Sequence, residues 1–155
     1  MTVRKIVVDG HIISSEDSDP ETAGERNLIV ASVLCNDSQC KDGVEIGDPT
    51  ETALINFAAS KKLSYSKIRA DYPRISEIPF DSDRKLMSTK YILHGVPTIL
   101  TKGAVDVLLD RCDYVRCSDG IRPMTEAEKD KIRMQNQLFS ENGLRVLSFA
   151  YKESE

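Results

Sequence analysis

No stretch of this sequence approaches the ~20 consecutive apolar residues that a membrane-spanning helix needs. The opening Met1-Thr2-Val3-Arg4-Lys5 also lacks the apolar core of a signal peptide, so the chain is not expected to insert in a bilayer. Basic runs are equally short: none exceeds three residues, and the formal net charge is -4 over 155 residues. Phosphate backbones select for clustered Lys and Arg, so nucleic acid is not the expected partner. Walker-type glycine loops and G-x-G-x-x-G fingerprints are both missing, which removes the common phosphate cradles. Cysteine is sparse and badly spaced for metal. Cys35 and Cys40, like Cys112 and Cys117, have four residues between them and no histidine nearby, whereas zinc pairs usually stand closer. Reduced, partly buried thiols are expected. The two histidines, His11 and His94, fall in or beside turns, and neither has a Ser or Cys partner at a recognisable nucleophile motif. There is no internal repeat and no low-complexity segment. At 40% hydrophobic content the remaining expectation is one domain with a real core.

What is present reads as alternating hairpins and short helices. Val3 to Val8, the Asp9-Gly10 turn and Ile12-Ile13 predict an opening hairpin. Asp19-Pro20-Glu21 can start a helix with Leu28, Ala31, Leu34 and Cys35 inward, ending near Asn36-Asp37. Ser38 to Gly47 reads as a loop or small edge strand. Asp48, Pro49 and Glu51 then form a capping-box start, for a helix burying Leu54, Phe57 and Ala58 and ending with Lys61-Lys62 in its last turn. Under this reading Glu51 is a cap; under a functional one its carboxylate accepts from a ligand amine. Tyr65 to Tyr72 is compatible with a short helix before Pro73. Near the end, Ser118-Asp119-Gly120 marks a small hairpin between Tyr114–Cys117 and Ile121-Arg122. Thr125 with Glu128 opens a helix to about Glu141, with Ile132, Gln135, Leu138 and Phe139 on one stripe. Asn142-Gly143 stops it, and Leu144 to Tyr151 reads as a last strand apolar on both faces.

The stretch from Ile78 to Cys112 organises the rest. Phe80 follows a proline and precedes small polar residues, as a ring at a strand end would. A phenylalanine is more often core, but one held partly exposed can stack on a base. Lys85 to Leu93 and Thr98 to Lys102 flank His94-Gly95-Val96-Pro97, so the two strands pair antiparallel with Lys85 and Lys102 at the same end. Gly103-Ala104 turns the backbone into a helix carrying Val105, Leu108, Leu109 and Cys112 on its apolar face. An aromatic platform with two lysines beside it is a minimal base-stacking, phosphate-attracting set.

Four segments, Phe80 to Ser88, Lys102-Gly103-Ala104, Gly47 to Leu54 and Gly143 to Leu147, match in order and spacing the nucleotide-binding domain of P-type cation-pumping ATPases. The chain resembles that domain over essentially its whole length, most nearly in calcium-type and related bacterial pumps. The His-Pro dipeptide of the heavy-metal branch is absent, and Ser82 stands where animal calcium pumps often carry arginine. The resemblance implies an α+β fold, a twisted antiparallel β-sheet flanked by helices. Residues 1–155 would then be a single nucleotide-binding domain cut from a larger membrane pump. It implies that Phe80 stacks on adenine, Glu51 accepts from its amino group, Lys102 lines the adenine end, and Gly103 lets the base approach. Lys85 and Arg145 would face the phosphates, Thr50 and Asp48 would shape the pocket floor, and Leu147 would pack on the nucleotide. Expected partners are ATP and the phosphorylation and actuator domains of the pump, with magnesium held mainly by the phosphorylation domain and the fragment itself a cytoplasmic monomer. The Asp-Lys-Thr-Gly-Thr acceptor loop is not in the chain, so binding without turnover is expected. The alternatives are a regulatory module of the same fold without ATP binding, or a pump of this class moving another cation.

Overall fold

In a computed structural model, which describes residues 1–153, the chain runs β1 (Lys5–Val8), β2 (His11–Ser14), α1 (Ala23–Leu34), β3 (Gln39–Lys41), β4 (Val44–Ile46), α2 (Pro49–Ser60), α3 (Tyr65–Asp71) and β5 (Ser76–Asp81). It continues with β6 (Leu86–Leu93), β7 (Val96–Gly103), α4 (Val105–Leu109), β8 (Tyr114–Cys117), β9 (Gly120–Pro123), α5 (Glu126–Glu141) and β10 (Ser148–Glu153). The fold is α+β and all described strand pairing is antiparallel. The main sheet has the order β10-β7-β6-β5, and β1-β2, β3-β4 and β8-β9 are separate two-stranded hairpins.

The central hairpin is tighter than its sequence suggests. His94 and Gly95 alone make the turn, at φ 52° and 79°, the paired left-handed conformation that matches strand twist. Val96 and Pro97 therefore lie inside β7, opposite Leu93 and Ile92. Among the described residues, β10 pairs with β7 as far as Thr98, next to Pro97. Alternation then sorts the side chains. Met87, Tyr91 and Leu100 share one sheet face and pack with Leu34 and Cys35 from the end of α1, while Ile29 and Val33 of the same helix pack with Ile6, Val8, Phe57 and Ala58. One helix thus joins two cores. All four cysteines are free, and burial raises the Cys35 thiol above its usual pKa.

Several boundaries fall elsewhere than expected, each for a local reason. α1 begins at Ala23 because Asp19 builds a turn ahead of it, its carboxylate accepting from Glu21 N–H at 2.9 Å and its carbonyl from Thr22 N–H at 3.1 Å. Buried Glu25 reaches back to the Asp19 N–H at 3.0 Å and so closes the helix start. α4 ends at Leu109, before Cys112. Residues 144–147 lie outside β10, which is an edge strand with half-buried residues rather than one covered on both sides. The α5 stripe buries only Phe139; Leu138 is 51% exposed. Its stop is as expected, with Gly143 at φ 76° and bonds from Gly143 N–H to Ser140 O and Leu144 N–H to Phe139 O, the paired closure of a helix C-terminus.

The end of α2 has the same two bonds, Lys62 N–H to Ala59 O and Leu63 N–H to Ala58 O, but with lysine at φ 63° where glycine is favoured. Lys61 and Lys62 thus follow the last helical turn instead of occupying it. A side chain in this conformation costs about 1–2 kcal/mol, and glycine loses about 0.4–1 kcal/mol of that through the unfolded chain. Lys62→Gly is expected to stabilise the protein by about 0.5 kcal/mol, a rise of one or two degrees in Tm for a chain of this size by thermal melting.

Candidate functional site

The start of α2 supplies the first part of the site. Asp48 caps the helix by accepting from the Thr50 N–H at 2.7 Å, and Pro49 occupies the first helical position, where no N–H is needed. That backbone bond, aided by the Thr50 side chain, the Glu51 N–H and the charge of Arg145, holds the Asp48 carboxyl below its ordinary pKa although burial opposes it. The second half of the expected box is not made. Glu51 turns away from its own helix, and its Oε2 accepts from Asp37 N–H at 3.1 Å and from Lys102 Nζ at 2.6 Å. The pair is sheltered, with the Lys102 and Glu51 side chains 8% and 17% exposed. Oε1 of Glu51 has no bond to any described residue, which leaves one carboxylate oxygen available to a donor from outside the chain.

The end of the main sheet supplies the second part. Lys102 on β7 stands directly opposite Met87 on β6. Across from Met87 on the other side the register shifts between Ile78 and Asp81, so Pro79 and Phe80 together face one residue. The bulge keeps Phe80 off the core: it is 63% exposed, two strands or about 10 Å of backbone from Lys102. The reading of Phe80 as a partly exposed ring holds. Lys85 closes the β5–β6 turn at φ 61°, its N–H on Asp81 O at 2.6 Å, and its exposed side chain has no hydrogen bond or ion pair to a described residue. Arg145, also exposed, donates to the Thr50 hydroxyl at 3.0 Å. Leu147 is half-buried just before Ser148, whose hydroxyl donates to Gly103 O at 2.9 Å. The expected residues are thus brought to one end of the sheet beside the α2 N-terminus.

The structure itself gives a reason for glycine at Gly103. A Cβ there would meet the Leu86 side chain and stand 2.5 Å from the Lys85 carbonyl, so glycine is demanded by the close approach of β6 and the Lys85 turn.

Sequence reasoning missed the residues that hold this arrangement in place. The turn leaving α1 is built around Asn36, which is 1% exposed. Its Nδ2 donates to Ser32 O at 3.1 Å and Glu51 O at 2.9 Å, and its Oδ1 accepts from Ser38 N–H at 2.8 Å. Two guanidiniums cover the carbonyls that the helix end leaves free: Arg69 reaches Asn36 O and Ser38 O, and Arg74 reaches Leu34 O and Asn36 O, all between 2.7 and 3.1 Å. Burial lowers the Arg69 pKa, with the charge of Arg74 adding to it. Burial also opposes charge on Arg74, but hydrogen bonds to Asp37 and Tyr91 outweigh it and hold that guanidinium above its usual value. The only sequence signal was Asn36-Asp37 read as a helix stop; nothing local marks two arginines more than 30 positions downstream as its partners.

Comparison with known proteins gives one consistent answer. The family described as "P-type ATPase, cytoplasmic domain N" matches residues 25–155. A calcium-transporting ATPase of Listeria monocytogenes is 46% identical over 138 residues, which cover 88% of this chain and 16% of that protein. Calcium-transporting ATPase 1 of Lactococcus lactis is 44% identical over 140 residues, 90% of this chain and 16% of its own length. A cation-transporting ATPase of Synechocystis is 37% identical over 134 residues, 84% and 14% of the two chains. The chain therefore spans about a sixth of the length of these relatives.

Two outcomes follow from the geometry alone. Phe80→Ala should leave the melting temperature within about 2 °C, since an exposed ring forgoes the ~3–5 kcal/mol that a core phenylalanine loses on truncation. A large drop in a thermal melt would show that the ring is packed. Asp48→Ala should cost about 1 kcal/mol at neutral pH through the lost cap. Because the folded-state pKa of Asp48 is depressed, its stabilising effect is present above the ordinary carboxylate range and fades as pH falls through the folded value. Urea titrations of both proteins should therefore differ at pH 7 and converge in acid.

Proposed function

The chain belongs to the family of P-type ATPase cytoplasmic N domains, and on that premise we propose that it holds ATP for a cation-transporting pump whose ion is calcium. Residues 1–155 are read as a single nucleotide-binding domain of that larger protein. The γ-phosphate is presented to an aspartate of a separate phosphorylation domain, with magnesium bound mainly on that side and the actuator domain as a further partner. The calcium reading is supported by the Listeria and Lactococcus relatives, both named as calcium-transporting ATPases.

One observation carries the nucleotide reading: at the same end of the main sheet as the exposed Phe80, a carboxylate has one oxygen doubly held and the other without a bond to any described residue. In this reading the Phe80 ring stacks on adenine, Glu51 Oε1 accepts from the exocyclic amine, and Lys102 orients Glu51 while lining the same end. Lys85 and Arg145 attract the phosphates, Thr50 and Asp48 form the floor near Glu51, and Leu147 packs on the nucleotide. Gly103 lets the base approach, and it also allows β6 to pass close to β7 beside the Lys85 turn. The chain's own residues position and do no bond-breaking, so affinity on the order of millimolar or somewhat better is reasonable, without turnover.

A carboxylate only accepts hydrogen bonds, so it favours the amine of adenine and opposes the carbonyl that guanine presents there. A charge-assisted bond contributes about 1.5–3 kcal/mol, discounted in an open site, which gives ATP roughly a tenfold advantage over GTP. Titrating both nucleotides by calorimetry should show that preference, and Glu51→Ala should remove most of it while phosphate-driven binding persists. A ratio unmoved by Glu51→Ala would mean that Glu51 serves the fold only. Complete lack of ATP binding would favour a regulatory module that keeps the fold alone. Phosphate release by the chain should equal that of buffer.

A further inference from the structure

We propose that Asn36 is a positioning residue for nucleotide selection, acting through Glu51; the inference rests on the reading of Glu51 as the acceptor of the adenine amine. Asn36 lies outside the segments Gly47 to Leu54, Phe80 to Ser88, Lys102 to Ala104 and Gly143 to Leu147, and it is not among the residues expected to touch the ligand. It is nevertheless bonded to the Glu51 backbone carbonyl at 2.9 Å, to Ser32 O in the last turn of α1, and to the Ser38 N–H that follows. Those three bonds hold the Asn36 side chain against α1, α2 and Ser38, and the peptide that follows, whose carbonyl Arg69 and Arg74 also hold, delivers the Asp37 N–H to Glu51 Oε2 at 3.1 Å.

The consequence lies in how the carboxylate is shared. Lys102 alone could pair with either oxygen of Glu51, since an ammonium is a point charge that imposes little orientation. A backbone N–H is directional, and with it Oε2 is taken twice while Oε1 remains for an incoming donor. Asn36 thereby selects which oxygen the ligand meets. The residue type is constrained as well. Aspartate could still accept from Ser38 N–H, but would set a carboxylate oxygen against the carbonyls of Ser32 and Glu51 and add charge beside Glu51. Alanine removes all three bonds and leaves the Asn36 carbonyl gripped by Arg69 and Arg74 at 2.9 and 3.0 Å, so the turn keeps an anchor when the side chain is lost.

The test is calorimetric titration of ATP and of GTP into the 155-residue chain, its Asn36→Ala and Glu51→Ala variants and the double variant, each below its melting temperature. Asn36→Ala is expected to reduce the ATP over GTP preference from about tenfold to about two- or threefold, with little change in GTP affinity. In the Glu51→Ala background it should change the ratio no further, because a residue acting through Glu51 has nothing left to orient. Asn36→Ser, smaller but still polar, is read the same way if the alanine variant does not fold. A lowered melting temperature with the wild-type ratio in a variant whose Glu51→Ala counterpart loses it overturns the role of Asn36 alone. A ratio unmoved by Glu51→Ala overturns the reading of Glu51 and this inference with it. An effect of Asn36→Ala that persists undiminished without Glu51 overturns the proposed route.

Discussion

The turn that ends α1 is the constraint on which the rest of the molecule depends. A helix that stops beneath a sheet leaves its last carbonyls without partners, and each such group left dry costs about 1–3 kcal/mol. Here no glycine closes the helix. The carbonyls of Leu34, Asn36 and Ser38 are instead covered by Arg69 from α3 and Arg74 from the segment before β5, while the Asn36 side chain ties the turn to α2. Tyr91, buried in the central hairpin, adds its hydroxyl to the same Leu34 carbonyl. Helix end, second helix and sheet are thus fastened by directional polar bonds, which hold geometry more tightly than apolar contact does. The apolar clusters on either side of α1 supply the larger share of stability.

This explains which parts of the structure were legible in the sequence. Features written within a few residues were: the place of the central hairpin, if not the two-residue length of its turn, the Asp48 and Thr125 caps, the stop at Asn142-Gly143, and the strand expected from Lys85 to Leu93, which forms as Leu86–Leu93. Features that depend on partners far along the chain were not. The reach of Glu51 to Lys102 crosses 51 positions and that of Arg74 to Asn36 crosses 38. A capping box at Asp48 and Glu51 is sound local chemistry, yet the cross-chain lysine and the Asp37 N–H compete for the same carboxylate and win. Thr125 and Glu128 behave alike: the threonine caps through its hydroxyl at 3.2 Å while the glutamate also turns to Arg122. In both helices the N-cap side chain makes its bond, and the glutamate three residues on goes to a cation elsewhere.

The bulge at Pro79 and Phe80 shows how a sheet edge can carry an aromatic ring without burying it. Regular pairing would continue the register of Ser76, Glu77 and Ile78, and the extra residue breaks it one position before the Asp81–Lys85 turn. Proline suits that place because β5 is an outer strand and a missing N–H need not leave a partner unmet. The same edge is blunted against pairing with another chain by Glu77 and Arg74, which form an ion pair at 3.1 Å beside it. An exposed ring at a disrupted edge is therefore accessible to a planar ligand while remaining a poor template for strand addition.

Charge decides how such a site can attract an anion at all. The chain carries a formal net charge of -4, so at long range it opposes ATP. At physiological ionic strength that opposition is screened beyond about 8 Å, and only charges close to the ligand count. Locally the carboxylates at the α2 start have partners: Glu51, the proposed acceptor from the base, is compensated by Lys102 at 2.6 Å, and Asp48 is engaged by Thr50 and lies within the influence of Arg145. Lys85 and Arg145 are exposed, and neither forms an ion pair with a described residue. In the proposed reading the adenine end is near neutral and directional, and the exposed Lys85 and Arg145 meet the phosphates without a dedicated cradle, with Asp81 and Asp83 of the same turn limiting the net positive charge there. That division fits a domain that grips the base and leaves the phosphates open to a second domain.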